Sequence, residues 1–159
     1  MTESAIRICQ RKIDPAVQLD SSRPELLNRI YAARNVQSES DLDYSLKHLP
    51  IPNALLGMQE AVDLLEDMLA NDARIVIVGD FDADGATSTA VMIKGLGAMG
   101  ARHVSYLVPD RFKFGYGLTS EIVEVAAEQS PDLIITVDNG IASINGVATA
   151  KEKGIKVLV

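Results

Sequence analysis

Two patterns of apolar and polar residues alternate along the chain. Between Leu55 and Leu69 the apolar positions, among them Val62, Leu65 and Met68, recur mostly on one helical face, with Glu60, Asp63, Glu66 and Asp67 opposite. That spacing predicts an amphipathic helix, with Asn53 as a possible N-terminal cap after the helix-breaking run His48-Leu-Pro-Ile-Pro52. After Asn71 the period changes to a continuous β-branched run, Arg74-Ile-Val-Ile-Val-Gly79, of the kind found in strands covered on both faces. A helical segment from about Gly85 to Met99, stopped by Gly100, separates it from a second strand at His103–Leu107. The unit recurs: a loop from 108 to 118, a helix over Thr119–Gln129, a strand over Asp132–Val137, a turn at Asp138-Asn-Gly140, a helix ending at Gly154, and a last strand over Ile155–Val159.

Parallel strands need long crossovers, so four apolar strands separated by helices predict an α/β fold with a parallel β-sheet flanked by helices. A short helical N-terminal arm precedes it. Within the arm, residues 1–22 read as irregular, Pro24 opens a short helix from its first position, and a second short helix is expected around Asp41–Leu46. The expected organisation is an arm and helices packing on the core over 1–70, then the α/β domain over 71–159.

Composition narrows the class. The 159 residues are 47% hydrophobic and carry a net charge of -7, values of an ordinary globular domain. Cys9 is the one cysteine, so a disulfide framework and a Cys-based zinc site within one chain are excluded, and an isolated thiol fits a reducing cytoplasm. No segment reads as a membrane span or export signal, and no membrane partner is expected. The first 34 residues are net basic and the rest strongly acidic, which argues against coating nucleic acid with positive surface. It does not argue against carboxylates that collect divalent cations.

The chemistry concentrates at strand ends. In Gly79-Asp-Phe-Asp-Ala-Asp-Gly85 three carboxylates, Asp80, Asp82 and Asp84, alternate directly after a buried strand, and in extended chain they point the same way. Like charges that close repel unless a cation neutralises them, and all-oxygen ligation selects Mg²⁺ or Mn²⁺. The competing reading is an acidic turn with one Asp capping the next helix. Asp138 repeats the arrangement after Leu133–Val137, although Asp-Asn-Gly is also plain turn chemistry. Arg111 and Lys113 lie in Pro109-Asp-Arg-Phe-Lys-Phe-Gly-Tyr-Gly117, where Arg111 can pair with phosphate, Tyr116 can stack a base, and Gly115 and Gly117 permit close approach. A structured loop that packs Phe112 or Phe114 on the sheet fits the spacing equally well. His48 and His103 read as structural. Three familiar patterns fail: the EF-hand start at Asp80 has Val91 at its twelfth position, Gly95-Leu-Gly-Ala-Met-Gly100 lies at a helix end instead of a helix start, and no Walker Gly-Lys-Ser/Thr occurs.

The segments Ile75–Thr89, Leu107–Leu118 and Ile135–Ser143 together resemble the DHH phosphoesterases, and within them the RecJ-type single-strand-specific DNA exonucleases. The resemblance extends over essentially the whole chain. It implies a 5′ to 3′ exonuclease on single-stranded DNA that uses Mn²⁺ or Mg²⁺ in recombination and repair, with single-strand-binding protein nearby. Carried over by position, Asp82, Asp84 and Asp138 are implied metal ligands, Asp80 supports them as part of the catalytic group, and Arg111 faces the phosphate backbone. The family's Asp-His-His triplet follows the last strand and lies past Val159, so the expectation is the N-terminal portion of a larger enzyme, inactive by itself. Two other readings compete: a haloacid-dehalogenase-like phosphotransferase, which also places Asp-x-Asp after its first strand but wants Thr or Val where Gly85 stands, and a metal- or DNA-binding fragment without activity.

Overall fold

The computed structural model describes residues 9–14 and 16–159, and it divides into two compact units, Met1–Ala54 and Leu55–Val159. The parts of the expected irregular arm at residues 1–8 and 15 lie outside the described residues. In the first unit, helix α1 (Glu25–Ala32) begins one residue later than expected. Pro24 stands at the capping position with extended ψ of 132°, and its carbonyl accepts from Leu27 and Asn28. A two-pronged Arg23–Glu39 ion pair, with the Arg23 guanidinium also over the Tyr31 ring, ties the chain entering α1 to the segment after it. The helix expected around Asp41–Leu46 is instead two short 3-10 turns, Glu39–Leu42 and Leu46–His48. Asp41 accepts from the amides of Gln37 and Ser38, which closes the first turn, and Asp43 leaves the helical region with ψ of 96°.

The second unit holds helix α2 (Met58–Ala70), strand β1 (Arg74–Val78), α3 (Ala83–Ala98), β2 (His103–Leu107), α4 (Arg111–Phe114), α5 (Ser120–Ala127), β3 (Leu133–Thr136), α6 (Ile144–Glu152) and β4 (Lys156–Leu158). Asn53 does not cap α2. It falls in a 3-10 turn, Pro52–Ala54, and Gly57 in the left-handed region (φ 76°) makes the entry, a conformation glycine adopts without steric cost. The four strands form one parallel sheet in the order β2-β1-β3-β4, in agreement with the pattern read from the sequence.

Residues 75–78 of β1 are buried and feed two cores, because successive side chains leave opposite faces of a strand. Ile75 and Ile77 pack with Leu133, Ile135, Leu96 of α3 and Met68 of α2, while Val76 and Val78 pack with Ile134, Leu118, and Ile122, Val123 and Ala126 of α5. Full burial of side chains this size contributes about 1.5–3 kcal/mol each. The sheet therefore fixes β1 and β3 side by side in the middle, and β2 and β4 at its edges. The chain leaves β1 for β2 on one side and returns to β3 on the other, so a crevice opens at the carboxyl ends of β1 and β3.

Candidate metal centre

Register puts the acids together. Val78 pairs with Thr136, the Val137 amide donates to the Val78 carbonyl, and the Gly79 amide donates to the Leu107 carbonyl, so β1 and β3 are pinned to their last residues. Past those ends lie Asp80 and Asp138. Asp80 is only 5% exposed. Asp138 takes the left-handed conformation (φ 62°), one that Asp tolerates better than most residues, and this turns its side chain out of the strand path. One carboxylate oxygen from each of Asp80, Asp82 and Asp138 lies within 4.8 Å of the other two.

Asp84 is not in that group. The extended geometry predicted for residues 80–84 ends at Ala83, where α3 begins, so the alternation that would aim Asp84 alongside its neighbours is lost to the helical turn. Asp82 caps that helix, its Oδ1 accepting from the Gly85 amide at 3.0 Å, so the capping reading and the cluster reading are both realised in one residue. Close approach makes this possible. A Cβ on Gly85 would collide with the backbone of Asp80.

Arg111, at the start of α4, reaches back to the cluster. Its Nε donates to Asp80 Oδ1 at 3.0 Å and its Nη2 to Asp80 Oδ2, a two-pronged pair of the strong kind; Nη2 also lies 3.4 Å from Asp82 Oδ2. The guanidinium sits over two aromatic faces, 4.3 Å from the Phe81 centroid and 4.8 Å from that of Tyr116. The Tyr116 hydroxyl donates to the Asp138 carbonyl at 3.0 Å. One ring of the Gly115-Tyr-Gly117 loop thus lies against Arg111, the ring the sequence offered as a base-stacking platform. Gly115 (φ 80°) and Gly117 (φ 77°) bring the loop against the Asp138 turn, where Ser143 Oγ accepts from the Leu118 amide. Phe114 packs on the sheet core as the structural reading of this loop required, and Phe112 is exposed. His48 lies 3.0 Å from Asp43 and His103 3.4 Å from Asp72, and neither is in the aspartate group.

Electrostatics divide the acids. The hydrogen-bonded Arg111 guanidinium holds the Asp80 carboxyl below the ordinary carboxylate range despite its burial. At Asp138 the direction reverses: loss of hydration, then the charges of Asp82 and Asp84, push its carboxyl up. An all-oxygen donor set carrying this mutual repulsion fits a hard divalent cation. Ligand oxygens about 2.1 Å from Mg²⁺ lie at most about 4.2 Å apart, a spacing close to the 4.8 Å within which the three oxygens already lie.

Two residues escaped the sequence reading. Phe81 stood between two acids as a spacer; its partner Arg111 is thirty positions away, and no local pattern joins them. Asn139 was read as turn chemistry, yet its Nδ2 donates to the carbonyls of Val137 (2.9 Å) and Val78 (3.4 Å), tying the ends of β1 and β3, while its buried Oδ1 has no partner among the described residues. An acidic residue followed by Asn at the end of a central strand was the available signal.

Residues 74–159 match the DHH family, N-terminal domain. The single-stranded-DNA-specific exonuclease RecJ of Haemophilus influenzae is 48% identical over 153 residues, 96% of this chain and 26% of that protein. Its counterpart from Escherichia coli is 43% identical over 97% of this chain and 27% of its own length. A crystal structure of exonuclease RecJ bound to manganese superposes with a TM-score of 0.59 at 41% identity, covering 69% of this chain and 27% of that one. RecJ in complex with Mn²⁺ from Thermus thermophilus gives 0.55 at 37% identity, over 80% of this chain and 17% of that one. The chain spans about a quarter of the length of the curated relatives it matches.

Proposed function

This chain belongs to the DHH family, and from that premise we propose that it is the N-terminal portion of a single-strand-specific 5′ to 3′ DNA exonuclease that hydrolyses phosphodiester bonds with Mn²⁺ or Mg²⁺. The observation that carries the reading is the meeting of Asp80, Asp82 and Asp138 from two neighbouring strand ends. Asp82, Asp84 and Asp138 are the proposed metal ligands, with Asp84 joining through rotation of its exposed side chain at the start of α3. The proposed organisation is an N-terminal arm with helices over 1–70, followed by the α/β domain over 71–159. We propose further that it works in recombination and repair, in the cytoplasm, with single-strand-binding protein nearby. No described helix is long and apolar enough to cross a membrane. The haloacid-dehalogenase-like alternative gains nothing from the family match.

When bound, the cations supply an activated water and stabilise charge on the phosphate. The chain's own residues prepare that site. Asp80, kept ionised by Arg111, holds the guanidinium at the mouth of the crevice, where its charge faces an incoming phosphate. Gly115 and Gly117 let the backbone approach the strand, and Tyr116 anchors the strained Asp138 turn through its hydroxyl.

The test compares this chain with one extended to the length of its relatives. Four aspartates hold a cation weakly, and residues that act as a unit fail together, so the 159-residue chain should bind Mn²⁺ by calorimetry yet give no detectable 5′ to 3′ degradation of single-stranded DNA. The extended chain should degrade it and lose that activity on Asp82→Ala. An extended chain without Mn²⁺-dependent nuclease activity would overturn the reading, and turnover by the shorter chain would show the site to be complete within it.

A further inference from the structure

Phe81 is a large apolar side chain with no part in either core. It is 54% exposed, stands between Asp80 and Asp82, and the charged group it touches is Arg111, whose guanidinium lies 4.3 Å from its ring centroid. Exposing an aromatic ring at a strand end has no packing benefit here, so its contact with the arginine is the feature to explain.

Arg111 has a choice of partners. Its Nη2 bonds Asp80 and stands 3.4 Å from Asp82 Oδ2, and one oxygen each of Asp80, Asp82 and Asp138 lies within the same 4.8 Å group. A guanidinium on a flexible stem would distribute itself among three carboxylates, and each oxygen it took would be lost to a cation. Planar guanidinium stacks well on aromatic faces, and here two rings, Phe81 and Tyr116, receive it while its fork is on Asp80. Tyr116 is fixed by its bond to the Asp138 carbonyl, and Phe81 by following Asp80 directly, its own amide donating to Asp80 Oδ1 at 2.7 Å. We infer that Phe81 is a positioning residue of the cation centre: its ring holds the Arg111 guanidinium in its two-pronged pair with Asp80 and limits its hold on Asp82 to one long contact of 3.4 Å. The inference rests on the cation-binding reading above, and assigns Phe81 a role that acts through Arg111 alone.

Two measurements on the 159-residue chain test it. In chelator, the Arg111 Nε–H resonance, assigned with Arg111→Gln, should be ring-shifted and slow to exchange in the unsubstituted chain and in Phe81→Tyr, and should lose both properties in Phe81→Leu. In calorimetric titration with Mn²⁺, Phe81→Leu should weaken binding about two- to fivefold and Phe81→Tyr should restore it. Placed on Arg111→Gln, Phe81→Leu should have no further effect. An equal weakening in both backgrounds, or an Nε–H signal indifferent to Phe81, would overturn the inference. Absence of Mn²⁺ binding in the unsubstituted chain would overturn the cation reading and with it the role assigned here, while the Nε–H spectrum would still report whether the rings hold the arginine. Because Phe81 is exposed, melting temperatures in chelator should agree closely among the Phe81 variants, which separates this role from a structural one.

Discussion

A Cβ placed on Gly85 would lie 2.4 Å from the carbonyl oxygen of Asp80 and 2.6 Å from its Cβ, so the first turn of α3 rests directly on the first aspartate of the cluster. Alanine normally stabilises a helix interior by about 1 kcal/mol relative to glycine. At Gly85 the sign should reverse, because backbone and not a flexible side chain meets the added methyl. Gly85→Ala should cost about 1–3 kcal/mol in urea unfolding and weaken Mn²⁺ binding. Gly95→Ala, in the same helix with nothing within 4 Å, should raise stability by about 0.5–1 kcal/mol. Equal effects at the two sites would show that α3 does not bear on Asp80.

Asp82 has two duties that a pair of substitutions separates. Asn keeps the acceptor that caps the Gly85 amide but removes the charge, whereas Ala removes both. In chelator, Asp82→Asn should melt at or above the unsubstituted chain, and Asp82→Ala should be less stable than Asp82→Asn by about 0.5–2 kcal/mol. Both should weaken Mn²⁺ binding. Comparable melting of the two variants would mean the cap contributes nothing.

The raised carboxyl of Asp138 sets a pH dependence of definite sign. The folded chain holds the Asp138 proton more tightly than the unfolded chain, whose carboxyl titrates near 3.8. Its penalty is absent below that pH, grows as pH rises toward the folded pKa, and is in full force above it. Asp138→Asn should therefore raise the chelated melting temperature at pH 7 and change it little near pH 3. A gain of the same size at both would assign the effect to the turn instead of to charge.

Asp80 runs the opposite way. Its folded carboxyl titrates below 3.8, so the stability its pair with Arg111 contributes is present above that value and is lost as pH falls through the folded pKa. Asp80→Asn, which leaves Arg111 without its charged partner, should cost about 1–3 kcal/mol at pH 7 in thermal or urea unfolding and progressively less as acid protonates the original carboxyl. A deficit independent of pH would show that the ion pair is not its source.

Much of this was legible because buried parallel strands announce themselves. The runs Ile75–Val78 and Leu133–Ile135 have no polar residue, and the acids just behind them mark the carboxyl edge, so the adjacency of Asp80 and Asp138 follows once β1 and β3 pair. The details that sequence left out depend on where regular structure starts. Asp84 was expected beside Asp82 because alternation assumes extended chain, and a helix that begins at Ala83 cancels it. The turn α4 was invisible because four residues are too few for periodicity, and with it the position of Arg111 over Phe81. At the start of α2, Gly57 took the entry expected of Asn53 because an approach with positive φ suits glycine.

The pairing of β1 with β3 has a kinetic side. Asp82 and Asp138 are far apart in the chain, and all of α3, β2, α4 and α5 must be threaded between them before they meet. A cation can find the centre only after that non-local closure, so it favours the finished sheet over every earlier species on the folding route. Divalent metal should accordingly slow the unfolding of this domain while leaving its folding rate nearly untouched, which makes the ion a lock on the folded sheet and not a nucleus for building it.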